Sequence, residues 1–281
     1  MIKIKFFSNY SDSKFLLQNY YMTSNLNIDS KFEFTIHDDY NVAVIFNKAI
    51  VPVKDDSFKI IFIQEPSWSS CLIDNPFFKS NNLLFVHDSS LFNNLVNNIN
   101  HPTVIHYYDD LPVDFFTSKI PIKKKKISFI LSNINNCQGH SKRLSFLNLV
   151  LNSDLDIDIY GKGHSIDDNR YKGELEYKYH GLADYEFSIC IENSNEYNYI
   201  TEKFIDCIIC NTIPIYSGAP NISNVYLSGG FYQIDLDDLN IIDKIKNIVE
   251  SKSSSTDYCN NINKWRYLNC YNINSVLSAI L

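Results

Sequence analysis

The chain has 281 residues, of which 45% are hydrophobic and 14% aromatic, and carries a formal net charge of −7 at pH 7. That apolar content is globular, the length allows two ordinary domains or one large one, and the acidity argues against a broad nucleic-acid surface, which needs an extended basic footprint. No apolar run approaches a bilayer span and the first residues carry no secretory signal pattern, so the expected location is cytoplasmic and no transmembrane segment is predicted.

In chain order, residues 2–7 alternate polar and apolar and predict a first strand, followed by a helix over 14–21. Residues 32–36, 42–46, 59–63 and 83–86 read as strands. Asp88, Ser89 and Ser90 can cap a helix over 91–98, and 103–107 returns to strand. Strands alternating with helices predict a doubly wound α/β sheet. The strand over 59–63 runs into Gln64, Glu65 and Pro66, and the proline keeps Glu65 out of helical geometry. A carboxylate fixed at the carboxyl end of a strand is placed to face a ligand cleft; the alternative is a solvated turn residue. Residues 112–126 combine two prolines with the run Lys123, Lys124, Lys125 and Lys126. They read as a solvated interdomain linker, with a polyanion or a membrane surface as the alternative partner of the four lysines.

A second sheet starts with a strand over 127–131. Ser141 can cap a helix over 141–151 that buries Leu144, Leu147 and Leu151, which puts Arg143 in its first turn. A strand over 156–160 ends in the turn Gly161-Lys162-Gly163, too little for a dinucleotide fingerprint. The apolar run 187–191 reads as a strand covered on both faces and leads into Glu192, Asn193 and Ser194. Thr201 can cap a helix with Lys203 in its first turn and Phe204, Ile205, Ile208 and Ile209 on its apolar face; Asn211 suits its end, and 213–216 is the next strand. A cation in a first turn opposes the helix macrodipole unless an anion is bound there. Arg143 and Lys203, in two successive strand–loop–helix units, therefore point to a shared anion such as a diphosphate, against the plainer reading of two solvated surface cations. A helix over 241–250, a link over 251–256 and a terminal helix over 258–280 complete the chain. The seven cysteines mostly sit in apolar runs and read as buried thiols of a reducing compartment. Cys207 and Cys210 have no second Cys or His pair at ligand spacing, the acidic clusters have none either, and no metal site is predicted.

Glu192-Asn193-Ser194, then Tyr199-Ile200-Thr201-Glu202-Lys203, then Ile213-Pro214-Ile215-Tyr216 with Gly218-Ala219-Pro220 resemble the signature of the α1,3-fucosyltransferases, glycosyltransferase family 10. The resemblance covers residues 127–231 well and the N-terminal half only at scattered points. It implies a GT-B architecture of two Rossmann-like domains facing across a cleft: residues 1–120 on the acceptor side and 121–256 around the nucleotide sugar. Residues 257–281 would form a C-terminal helix able to cross back to the first domain. It implies GDP-fucose as donor, an oligosaccharide or glycoconjugate as acceptor with O3 of GlcNAc or glucose as the expected target, inversion at the anomeric carbon, and no obligatory cofactor or divalent metal. By the same resemblance Glu65 is the candidate catalytic base, although family members usually carry Gly-Glu-Asn where this chain has Gln64-Glu65-Pro66. Arg143 and Lys203 would contact the donor phosphates, and Asn193 and Tyr199 would be donor-site residues. Glu202 would accept hydrogen bonds from ribose or fucose hydroxyls, and Glu192 is as readily structural as functional. Ser217 stands where a Trp commonly follows the Ile-Pro-Ile-Tyr strand, which can alter donor or acceptor preference. Two other readings stay open: a GT-B transferase using another nucleotide sugar, and a non-catalytic carbohydrate-binding protein on the same scaffold.

Overall fold

The computed structural model describes residues 1–23, 29–78, 82–92, 97–103 and 122–281. In chain order its elements are β1 (Ile2–Ser8), α1 (Ser13–Thr23), β2 (Phe32–Phe34), β3 (Val42–Phe46), β4 (Phe58–Phe62), β5 (Leu83–Val86) and β6 (Asn98–Asn100). They continue with β7 (Lys125–Ile130), α2 (Gln138–Leu151), β8 (Asp158–Tyr160), β9 (Tyr185–Ile191), α3 (Glu202–Ile209), β10 (Ile213–Ser217) and α4 (Ile222–Val225). The last are β11 (Tyr232–Gln233), α5 (Ile241–Glu250), α6 (Ser254–Arg266) and α7 (Ile273–Ile280). The chain forms two compact units. Unit 1 comprises Met1–Phe116, Glu196–Thr201 and Leu268–Leu281, and unit 2 comprises Thr117–Asn195 and Glu202–Tyr267.

Unit 1 is built on a six-stranded sheet of order β2-β1-β3-β4-β5-β6 with every pair parallel. Side chains of a strand point alternately to its two faces, and here both faces are apolar. Val42, Val44, Phe46, Ile60 and Phe62 pack with Leu16 and Tyr20 of α1 and with Ile273, Val276 and Leu277 of α7. Ala43, Ile45, Ile61 and Ile63 face the other way, against Tyr40 and Leu72. The expected helix over 91–98 is replaced by a 3-10 turn, Ser89–Phe92, where Asp88 Oδ1 accepts from the Ser90 amide at 2.9 Å, and Asn98 is already in β6. The strand expected over 103–107 begins at a bend residue and otherwise lies outside the described residues, as does most of 112–126.

His101, just after β6, has a chemical consequence. Its Nδ1 lies in hydrogen-bond contact with the Thr103 carbonyl, its ring sits against Tyr271, and burial pushes its pKa down to about 4. In the unfolded chain the imidazole titrates near its usual ~6.5, so between these values the unfolded state binds more protons and folding weakens as pH falls. Stability of unit 1 is therefore expected to be complete above about pH 6.5 and to drop by up to about 3 kcal/mol toward pH 4. His101→Asn should flatten that part of the melting-temperature-against-pH curve, and an unchanged curve would contradict the assignment.

Unit 2 holds a five-stranded parallel sheet of order β11-β10-β9-β7-β8. One face packs Ile127, Phe129, Ile189, Ile213 and Ile215 against Phe146, Leu147 and Val150 of α2 and Ile241 and Ile245 of α5. α3 is buried along Phe204–Ile209, and the chain leaves it through Asn211 in the left-handed region, φ 55°, a conformation Asn tolerates better than most residues. The four lysines do not form a linker, although Lys124, Lys125 and Lys126 are exposed. Lys123 donates to the carbonyls of Ala183 and Cys210 and to Thr212 Oγ1 at 2.8–3.0 Å, so it neutralises carbonyls at the C-terminal end of α3. Lys124, Lys125 and Lys126 pair with Asp184, Asp158 and Glu186, the last two lysines from within β7. The expected terminal helix is two helices. A π-helical turn, Tyr267–Tyr271, ends α6, and Asn272 then caps α7 by accepting from the Ser275 amide at 3.0 Å.

Candidate functional site

In the unit 2 sheet the chain steps from β7 outward to β8 and then returns to the opposite side of β7 as β9. Connections leaving β7 and β9 therefore diverge, and in such sheets the crevice outside these carboxyl ends is where ligands bind. α2 follows β7 there, and Glu192, Asn193 and α3 follow β9.

α2 begins earlier than expected, with Cys137 as its N-cap and no side-chain cap bond. Ser141 lies within the helix, its Oγ bonded to Asn135 Oδ1 at 2.6 Å, so it cannot serve as the cap. Arg143 consequently sits in the second turn, on the buried face with Phe146, Leu147 and Val150. Arg143 therefore lies too far along α2 to oppose its dipole strongly, yet it still converges with Lys203. Both residues line one cavity of ≈ 20 Å³ together with Lys178, Ser188, Cys190 and Cys207. His140, in the first turn of α2, is held below its usual pKa by burial and then by the Arg143 and Lys203 charges.

Lys203 is in the first turn of α3, and two carboxylates supply its countercharge: Glu202 Oε1 at 2.9 Å and Glu192 Oε2 at 3.7 Å. The Glu192 side chain is fully buried, and its amide donates to the Ser217 carbonyl at 2.9 Å. Ser217, which stands where family members commonly carry a Trp, is buried and supports Glu192 through its carbonyl. Asn193 is half-buried, and its Oδ1 is buried with no hydrogen-bond partner among the described residues, an acceptor of the kind that native proteins rarely leave unsatisfied. Behind this surface Lys178 pairs with the buried Asp206 of α3 at 2.5 Å. Burial alone would lower the Lys178 ammonium, but Asp206 and Glu202 outweigh it and raise its pKa.

Gly139 ties the two loops together. A Cβ there would lie 2.1 Å from the Asn193 carbonyl oxygen, so only glycine lets the first turn of α2 meet the β9 loop. Gly139→Ala must push them apart. We expect a loss of about 2 kcal/mol in thermal stability, the scale of overpacking, accompanied by weaker ligand binding at this edge; a variant that melts and binds as the parent does would contradict the contact.

Unit 1 has its own switch point, between β1 and β3. Asn47 after β3 adopts φ 57° and accepts from the Gln64 amide at 2.7 Å through Oδ1, which fixes the end of β4 where half-buried Glu65 follows. The next residues are anchored from elsewhere in the unit. Ser67 donates from its amide and Oγ to Glu196 at 3.0 and 3.1 Å, and Glu196 Oε2 lies 2.5 Å from His87 Nε2. His87 is fully buried, its carbonyl accepts from Asn198 Nδ2 at 2.9 Å, and its ring packs edge-on to Tyr199, with centroids 5.3 Å apart. Tyr199 is thus a buried member of unit 1, while Arg143, Asn193, Glu202 and Lys203 are gathered in unit 2. Sequence reasoning missed His87, Glu196, Lys178 and Asp206. Glu196 lies inside the signature stretch, but no spacing points from it to a histidine 109 positions away.

Among the described residues no group of three His, Cys, Asp or Glu side chains could hold a metal ion, and no helix is long and apolar enough to cross a membrane. The seven cysteines are free thiols; Cys190 and Cys207 lie 3.5 Å apart, and burial pushes Cys190 and Cys210 up.

Residues 120–278 match the family described as glycosyltransferase family 10 (fucosyltransferase), C-terminal. A putative fucosyltransferase-like protein of Arabidopsis thaliana is 33% identical over 119 residues, 40% of this chain and 22% of that protein. The alpha-(1,3)-fucosyltransferase FucT of Helicobacter pylori is 40% identical over 53 residues, 19% of this chain and 11% of that protein. The aligned parts are thus less than a quarter of either relative's length. A crystal structure of an alpha1,3-fucosyltransferase with GDP-fucose superposes with a TM-score of 0.53 at 18% identity, covering 92% of this chain and 80% of that one. The fold is shared at that level: two parallel α/β units of the GT-B type.

Proposed function

Because the chain belongs to glycosyltransferase family 10, we propose that it transfers fucose from GDP-fucose to a hydroxyl of a glycan acceptor, O3 of GlcNAc or glucose, with inversion at the anomeric carbon. The observation that carries this reading is the convergence of Arg143 and Lys203, from separate helices, at the β7–β9 switch point; the ≈ 20 Å³ void they both line has room for about one water, so a diphosphate would bind at the surface beside it. A sugar nucleotide presents a diphosphate, and two cations beside an N-terminus with no side-chain cap are suited to it. Asn193 Oδ1 and the Glu202 carboxylate would accept from ribose or fucose hydroxyls, and buried Tyr199 would act by shaping its loop.

In the transfer, the acceptor oxygen attacks C1 of fucose as the C1–O bond to the β-phosphate breaks. GDP departs with the bonding electron pair, and the hydroxyl proton passes to the Glu65 carboxylate. A β-linked donor gives an α product in this single displacement. Arg143, Lys203 and the α2 amides would stabilise the charge that develops on the leaving diphosphate, and on this reading a divalent metal is not obligatory.

The test is acceptor-dependent GDP release from GDP-fucose, run beside GDP-mannose, UDP-glucose and UDP-GlcNAc. Turnover confined to GDP-fucose is expected. Turnover with a UDP-sugar alone would replace the donor assignment, and sugar binding with no nucleotide affinity would favour a non-catalytic carbohydrate-binding protein.

A further inference from the structure

The loops around Glu65 in unit 1 hold three large aromatic side chains out to solvent: Tyr10 at 53% exposure, Trp68 at 54% and Tyr197 at 57%. Each stands on a hydrogen-bonded loop. Tyr10 follows β1, where Ser8 Oγ accepts from the Tyr10 and Ser11 amides at 3.3 and 2.8 Å. Its hydroxyl donates to Oε1 of Gln64, the neighbour of Glu65, at 3.1 Å. Trp68 sits in a turn closed by the Ser69 amide donating to the Pro66 carbonyl at 2.9 Å, directly after Glu65. Its neighbour Ser67 donates twice to Glu196, so the Trp68 turn lies against the segment that carries Tyr197. Glu196 is held in turn by buried His87. Single exposed aromatics are ordinary on a surface, but three on anchored loops at the carboxyl edge of one parallel sheet are not scattered. An apolar surface kept open at such a place marks a ligand site.

We propose that Trp68, with Tyr10 and Tyr197, forms the platform on which a pyranose ring of the acceptor stacks, presenting its hydroxyl to Glu65. This rests on Glu65 being the base in the function proposed above. A pyranose fits because its ring C–H groups make an apolar face while its hydroxyls lie at the rim. The C–H dipoles meet the negative face of an indole or phenol ring, and the rim hydroxyls meet the tyrosine hydroxyls. An open-chain polyol has no such face. The platform therefore makes Trp68 a determinant of acceptor affinity.

Trp68 and Trp265 are the two tryptophans of the chain, so Trp265→Phe leaves Trp68 as the sole indole reporter. In that protein N,N′-diacetylchitobiose or cellobiose should change the emission saturably, and ribitol at the same concentration should not. Trp68→Ala should raise the acceptor KM by about tenfold with GDP affinity unchanged, and Trp68→Phe, which keeps an aromatic face, should restore most of it. The absence of a saturable change with both disaccharides, or an unchanged acceptor KM in Trp68→Ala, would overturn the proposal. A disaccharide-dependent emission change in protein that binds no GDP would support the platform while refuting the transferase reading.

Discussion

Glu65→Gln is expected to reduce fucosyl transfer by about 10²–10⁴-fold, the usual worth of a general base, while leaving GDP affinity nearly intact. The amide keeps the size and the hydrogen-bonding geometry of the carboxylate but cannot take the acceptor proton. The position is rigid enough to make the test clean. Asn47 fixes the Gln64 amide on one side of Glu65, and Glu196 fixes Ser67 on the other. Melting temperature should therefore be unchanged, and a fall in kcat should appear without a matching rise in donor KM. Undiminished turnover would remove Glu65 as the base.

The second large effect is expected at the opposite end of the reaction. Arg143→Ala and Lys203→Ala should each cost about 2 kcal/mol of donor affinity, and together about 4 kcal/mol, close to 10³-fold, if their contacts with the diphosphate are independent. The two differ in their side effects. Removing the Lys203 ammonium also takes a partner from the fully buried Glu192 carboxylate, so part of its effect should appear as lower thermal stability. Lys203→Arg retains the charge and separates the two contributions. Isothermal titration with GDP, read beside a melting curve, checks both; unchanged GDP affinity in the double variant would contradict the diphosphate site.

How much of this was legible in the sequence follows from how local each cause is. α5 was expected over 241–250 and is Ile241–Glu250, because its apolar stripe repeats at helical spacing and asks for no distant partner. β9, α3 and β10 were equally readable as two apolar runs separated by a capped helix start. The start of α2 was misplaced because Ser141 resembles a cap in sequence but spends its hydroxyl on Asn135 and the Cys137 carbonyl. The lysine run failed for the opposite reason. Its composition is that of a linker, whereas Lys125 and Lys126 already belong to β7 and the four side chains find their partners in Asp158, Asp184, Glu186 and the Cys210 carbonyl, all far away in the sequence. At the candidate site, the local signature named Asn193, Glu202 and Lys203, and Arg143 was named from a first-turn position that the structure moves to the second turn. The groups that hold such residues in place were not visible: Asp206 is 28 positions from Lys178 and Glu196 is 109 from His87. Long-range side-chain contacts leave no period in a sequence.

The most direct test of the account is calorimetric titration of the protein with GDP and with UDP, each with and without a chelator. A cation-lined diphosphate site on a family 10 chain predicts GDP binding in about the micromolar range, tighter than UDP and indifferent to the chelator. Preference for UDP, loss of GDP binding in chelator, or no binding of either nucleotide would contradict it.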